Sequence, residues 1–109
     1  MKNKFGVPCN RIKNRLLDVD VYCTSEAEAM ALACGAILAG KEATVYMQNS
    51  GLGSIVDIVT SLYKPYDIRL PELLLSLRHS PEHHAVMGRI TRKLLKLIGY
   101  DGVVEIIEE

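Results

Sequence analysis

The stretch Val45 to Gly53, V-Y-M-Q-N-S-G-L-G, constrains this chain more than any other, because it ends an apolar run on a polar corner and leads straight into a helix pattern. Val45, Tyr46 and Met47 have the β-branched and aromatic character of a short buried strand and follow the turn-like Gly40-Lys41-Glu42. From Leu52 onward, Ile55, Val56, Val59, Leu62 and Tyr63 recur three and four apart, the spacing of one helix face. Between them stand Gln48, Asn49, Ser50, Gly51 and Gly53. A helix start leaves unpaired N–H groups and positive partial charge, and glycine lets another group approach the main chain, so a ligand can lie against bare backbone here. In open α/β sheets ligands bind at such corners, at the carboxyl ends of strands. The spacing alone is met equally well by a tight strand-to-helix turn that needs glycine for its φ angles.

The rest of the chain repeats the alternation. Residues 3–7 predict a first strand stopped by Pro8, and Ile12, Leu16 and Leu17 a brief helix face. Val19, Val21 and Tyr22 alternate with Asp18 and Asp20 as a second strand. Ser25-Glu26-Ala27-Glu28 has the form of a capping box, with the Ser25 hydroxyl taking a helix N–H and Glu28 reaching back to the cap. Glu26 is left at the first helical position, where its carboxylate either complements the helix dipole in solvent or points into whatever lies beyond the helix end. An Ala-rich core helix runs from Glu26 to about Ala39. After a polar bend from Tyr63 to Pro71, Glu72 to Leu77 has buried-strand length, and Arg78 to His84 reads as a loop. Val86, Met87, Ile90, Leu94, Leu97 and Ile98 mark an amphipathic helix with Arg89, Arg92, Lys93 and Lys96 outside, capped by Gly99, and Val103 to Ile107 is a last strand. Strands alternating with helices over the whole length predict an α/β domain with a parallel sheet covered on both faces, a three-layer αβα arrangement.

The 109 residues make one domain, and 13 basic against 13 acidic side chains with no basic stripe argue against a nucleic-acid partner. The longest apolar stretch, Ala27 to Gly40, contains Glu28 and is too short to span a bilayer, and no apolar signal region follows Lys2 and Lys4. The expectation is a soluble, cytoplasmic protein with no membrane partner. Cys9, Cys23 and Cys34 are odd in number and lack C-x-x-C spacing, which predicts buried reduced thiols. Pro81 interrupts the helix that would align His79 with His83, and nothing completes a ligand set, so no metal site is expected in the chain itself. A loop histidine after a central strand is a better candidate for substrate contact or proton transfer. The absence of G-x-S-x-G and of G-x-x-x-x-G-K-[ST] removes the hydrolase and nucleoside-triphosphatase readings.

Taken together, G-V-P-C at Gly6 to Cys9, S-E-A-E-A-M-A-L-A-C-G at Ser25 to Gly35, Y-M-Q-N-S-G-L-G at Tyr46 to Gly53, S-L-Y-K at Ser61 to Lys64 and M-G-R-I-T-R-K-L-L at Met87 to Leu95 resemble one family. It is the pyrimidine-binding domain of thiamine-diphosphate decarboxylases, in the branch of sulfopyruvate decarboxylase α subunits and phosphonopyruvate decarboxylase. The resemblance covers nearly the whole chain and implies a single flavodoxin-like domain over residues 1–109, lacking the helix that usually precedes the first strand. Glu26, nine residues before Gly35, matches the glutamate that activates the cofactor. The chemistry needs an acid there, hydrogen-bonded to a ring nitrogen of the aminopyrimidine. Gln48, Asn49, Ser50, Gly51 and Leu52 match the loop near the pyrimidine, and His84, four residues before Gly88, matches an active-site histidine. Arg78 and Arg89 are the cations expected to meet the second anionic group of a 2-oxo-acid substrate, since arginine suits bidentate oxyanion recognition. Asp57 departs from the Asn usual in the family, and Arg78-His79 from the usual Arg-Gly.

No G-D-G motif followed at a distance by Asn, the family's magnesium and diphosphate pattern, occurs here. The resemblance therefore implies a chain that holds only the pyrimidine end of thiamine diphosphate. A separate β subunit would carry the diphosphate and magnesium, within a homodimeric or higher association. The implied activity is a carboxy-lyase converting sulfopyruvate to sulfoacetaldehyde and carbon dioxide, on the route to coenzyme M. The alternatives are a phosphonopyruvate decarboxylase or a non-catalytic paralogue that acts as an assembly or regulatory partner.

Overall fold

A computed structural model describes residues 2–8 and 19–108. The short helix face at Ile12, Leu16 and Leu17, and the thiol of Cys9, lie outside the described residues. Five strands form one all-parallel sheet: β1 (Lys2–Gly6), β2 (Val21–Tyr22), β3 (Glu42–Gln48), β4 (Glu72–Leu77) and β5 (Val104–Glu108), in the order β2-β1-β3-β4-β5. This is the flavodoxin-like order, whose crevice opens where connections from adjacent strands leave in opposite directions, here at the carboxyl ends of β1 and β3. The register sets Phe5 beside Val45 and Val45 beside Leu73. The second strand is shorter than the alternation predicts, and Asp20 extends its edge by exchanging bonds with Lys4: the Asp20 N–H donates to the Lys4 carbonyl, and the Lys4 N–H to the Asp20 carboxylate, both at 2.8 Å.

Three helices are described: α1 (Glu26–Leu38), α2 (Leu52–Ile58) and α3 (Glu82–Leu97). All three feed one apolar cluster on the sheet face that carries Phe5, Val45, Met47, Leu73 and Leu75. The side chains that alternate to the other face form a smaller patch, Tyr46 and Leu74 with Val19 and Ile107 beside them. Among the described residues no helix is long and apolar enough to cross a membrane. Cys23 and Cys34 are free and buried, as read from their surroundings, and burial pushes both thiols up from their ordinary range, with Glu28 adding to the effect at Cys23.

The helix ends follow their sequence signals. The Ser25 hydroxyl accepts the Glu28 N–H at 3.1 Å, as the capping box requires. The returning arm reaches one residue further than expected: the Glu28 carboxylate accepts the Thr24 N–H at 2.8 Å. Both α1 and α3 end on a left-handed glycine, Gly40 and Gly99. Each closes the paired 6→1 and 5→2 bonds of a Schellman cap, Lys41 to Ala36 with Gly40 to Ile37, and Tyr100 to Leu95 with Gly99 to Lys96. Past Ile58 the second helix widens into a π turn, Val59–Tyr63, a feature the apolar spacing does not reveal. The turn delivers Tyr63 into the core, where its hydroxyl donates to the Met30 carbonyl of α1 at 2.6 Å. Burial, with Cys34 nearby, raises the phenol far above its ordinary range.

Two sequence expectations are corrected. The loop after β4 is shorter than Arg78 to His84, because α3 begins at Glu82 and carries His83 and His84 in its first turn. Proline is tolerated at a helix start, and Pro81 is the cap of this helix, so His79 stays outside it while His83 lies within it, as the proline predicts. The inward stripe of α3 is also rotated from the apolar one: His84, Gly88, Thr91 and Leu95 are buried, while Val86, Ile90 and Leu97 are exposed, Leu97 to 83%.

Candidate active site

The end of β3 delivers Gln48 to the carboxyl edge of the sheet, and a single 3₁₀ turn, Asn49–Gly51, joins it to α2. The first residue of α1, Glu26, arrives at the same place. A Cβ built on Gly51 would stand 2.2 Å from Cγ and 2.6 Å from Cδ of Glu26. The half-buried glutamate therefore lies directly on the bare α-carbon of Gly51. Gly51 has φ −80°, which any residue adopts, so its bare α-carbon serves the close approach of Glu26 and not a strained turn. Gly53 has nothing within 4 Å of where its Cβ would be.

The other residues of the corner divide by direction. Ser50 is exposed, while Leu52 is fully buried in the main apolar cluster, so its side chain belongs to the core and only its backbone can meet a ligand. Asn49 is likewise fully buried. Its Nδ2 donates to the Arg78 carbonyl at 3.0 Å and to Thr91 Oγ1 at 3.2 Å, and its Oδ1 accepts the Arg78 N–H at 3.1 Å. Its side chain therefore points inward from the loop.

His84 is buried at the start of α3, and its Nε2 lies 3.5 Å from the amide nitrogen of Gln48. With the amide donating to Nε2, the neutral ring carries its proton on Nδ1, which is buried without a hydrogen-bond partner. The His83 ring is tilted against it, centroids 4.0 Å apart. Burial foremost, then His83 and Arg78, hold the His84 imidazole below its ordinary pKa, which favours the neutral ring. Arg78 thus stands close to the site. Arg89 is exposed one residue beyond the buried Gly88, about 100° round the helix from it.

Thr91 and Gly88 are the site-supporting residues that the sequence reading missed. A Cβ on Gly88 would come within 2.6 Å of both the Arg78 carbonyl and His79 Nδ1. The 84, 88, 91, 95 spacing is itself a helix face, but its small and polar members hide it from an apolar count. Among the described residues no group of His, Cys, Asp and Glu could hold a metal ion. Two clefts of about 300 and 350 Å³ lie at the far end of the sheet, sharing Arg69, Leu70, Asp101 and Gly102, and include none of the predicted site residues.

No family model matches the chain. It is 38% identical over 102 residues to the sulfopyruvate decarboxylase subunit alpha of Methanocaldococcus jannaschii, covering 83% of this chain and 59% of that one. It is 36% identical to the protein of the same name from Methanothermobacter thermautotrophicus, covering 85% and 62%. To the phosphonopyruvate decarboxylase of Streptomyces viridochromogenes it is 37% identical, covering 84% of this chain but 26% of the relative. The chain thus spans roughly three fifths of the α subunits that it matches, 59% and 62%. Over the span it shares with them, the chain is a homologue of proteins named sulfopyruvate decarboxylase subunit alpha and phosphonopyruvate decarboxylase.

Proposed function

We propose that this chain is the α, pyrimidine-binding part of a thiamine-diphosphate-dependent decarboxylase. Its substrate on this reading is sulfopyruvate, released as sulfoacetaldehyde and carbon dioxide on the route to coenzyme M. A β-type subunit holds the diphosphate and magnesium. The observation that carries the reading is the Glu26 side chain laid on the bare α-carbon of Gly51 at the carboxyl edge of the sheet. A carboxyl resting on the backbone at one end of the Gln48 to Gly51 turn, with a buried imidazole whose Nδ1 is unfilled beside Gln48 at the other, suits a flat heterocycle with ring nitrogens and an exocyclic amine.

Bound there, the cofactor would supply the electron sink for the pair left when the substrate carboxylate departs. This chain's own residues would do the rest. Glu26 holds a proton against a pyrimidine ring nitrogen. Gly51 makes room for the Glu26 stem, and the Ser50 hydroxyl and Gln48 amide flank the ring. His84, kept neutral by its surroundings, exchanges a proton with the substrate. Arg78, close enough to His84 to act on its charge, is the cation that would meet the second anionic group.

The test is to mix the chain with a β-type subunit, magnesium and thiamine diphosphate, and to follow carbon dioxide release from sulfopyruvate and from phosphonopyruvate. Release from sulfopyruvate that disappears in Glu26→Ala is the expected result. Release from phosphonopyruvate alone would move the substrate, and no release from either would overturn the reading.

A further inference from the structure

Asn49 sits in the corner where a ligand would lie, yet its side chain is spent on a different task. Its amide takes the N–H and offers a donor to the C=O of one residue, Arg78, and gives its second donor to Thr91. Paired bonds to both main-chain groups of a single residue reproduce what a neighbouring strand would provide, so the first residue beyond β4 is held as though the sheet continued. From the other side α3 presses directly on the same residue, because Gly88 has no Cβ to hold the Arg78 carbonyl and His79 away. The segment clasped between these contacts is the one that carries the chain from β4 to His84.

We propose that Asn49, with Thr91, is a positioning residue that sets where the His84 imidazole stands relative to the Gln48 corner by clamping Arg78. The inference takes one thing from the proposed function, that His84 meets the substrate; the clamp itself is independent of it. Only an amide can make these three bonds. A carboxylate of the same size accepts and never donates, so it would face the Arg78 carbonyl lone pairs. It would also meet a Thr91 hydroxyl whose own proton already goes to the Met87 carbonyl.

The test is the titration of the His84 ring, followed by NMR in the full chain. The charged and titratable groups near that ring are His83 and Arg78, with His79 packed against Gly88 in the same loop. In Thr91→Val, which adds no charge, the His84 midpoint is expected to move up toward the ordinary value by a few tenths of a pH unit (~0.3) as the loop relaxes and the ring gains solvent, and in Asn49→Asp by about half a unit or more, the new carboxylate adding its own attraction. Tyr63→Phe, which removes a buried hydrogen bond far from the loop, serves as the control and should lower the melting temperature without moving His84. With the β-type subunit and sulfopyruvate, Thr91→Val should lower kcat several-fold with KM nearly unchanged.

A folded Asn49→Asp and a folded Thr91→Val that both leave the midpoint in place would overturn the proposal, as would an equal movement in Tyr63→Phe. If Asn49→Asp does not fold, Thr91→Val decides alone. A moved midpoint in a chain that releases no carbon dioxide with its subunit would end the decarboxylase reading and leave the clamp standing.

Discussion

Gly51 and Glu26 occupy each other's space: the glutamate stem fills the volume that a side chain at position 51 would need, with Cγ only 2.2 Å from an added Cβ. The contact joins the turn after β3 to the first residue of α1. Gly51→Ala must therefore displace the glutamate or lift the corner. The expected cost is about 1–3 kcal/mol in chemical denaturation, as for an overpacked site, together with loss of carbon dioxide release. Gly53→Ala is the matched control. Its Cβ would meet nothing within 4 Å, so in the isolated chain it should be neutral or stabilise α2 by about 0.5–1 kcal/mol.

The two first-turn glutamates of α1 are expected to separate cleanly. Glu26→Gln keeps the shape and removes the exchangeable proton, and should cut carbon dioxide release by about 100-fold or more while leaving the melting temperature nearly unchanged. Glu28→Gln weakens the arm of the cap that reaches Thr24, and should cost about 0.5–1 kcal/mol of stability with activity retained. Assaying both variants beside their melting curves checks the division.

Stability should depend on pH through His84. Its folded pKa lies below the ordinary 6.5, so between the two values the unfolded chain binds more protons than the folded one. The stability this group contributes is fully present above about pH 6.5 and is lost as the pH falls through the folded value. A melting temperature that declines on acidification from neutrality, with a shallower decline in His84→Gln, is the expected result.

Tyr100 provides a second test of the core away from the site. Its hydroxyl donates to the Pro71 carbonyl at 2.7 Å, tying the start of β4 to the chain that enters β5. Tyr100→Phe should lower stability by about 0.5–1.5 kcal/mol by urea denaturation and leave the His84 titration where it is.

Much of this architecture was legible in the residues. The Ser25 cap, the terminal Gly99 and the Glu72 to Leu77 run each pair a local physical requirement with one residue type, and each lies where it was read. The third helix shows why reading fails elsewhere. Its apolar residues Val86, Ile90 and Leu97 point outward, because the inward face is taken by His84, Gly88 and Thr91, which serve the loop and not the core. Asn49 was legible as an unusual residue at a corner, but not as one facing inward. Its partners Arg78 and Thr91 are distant in the chain, and no local pattern announces a bond made across the fold.

The buried phenol of Tyr63 is bonded to the backbone of α1 while belonging to the turn that prolongs α2. The acid and the glycine that it overlies are therefore mounted on two beams bolted together where the far end of one meets the second turn of the other. Any force arriving at one, whether from a docking subunit or an entering heterocycle, is shared by the other, and the spacing between the acid and the bare backbone is kept by the interior and not by the loops around the mouth.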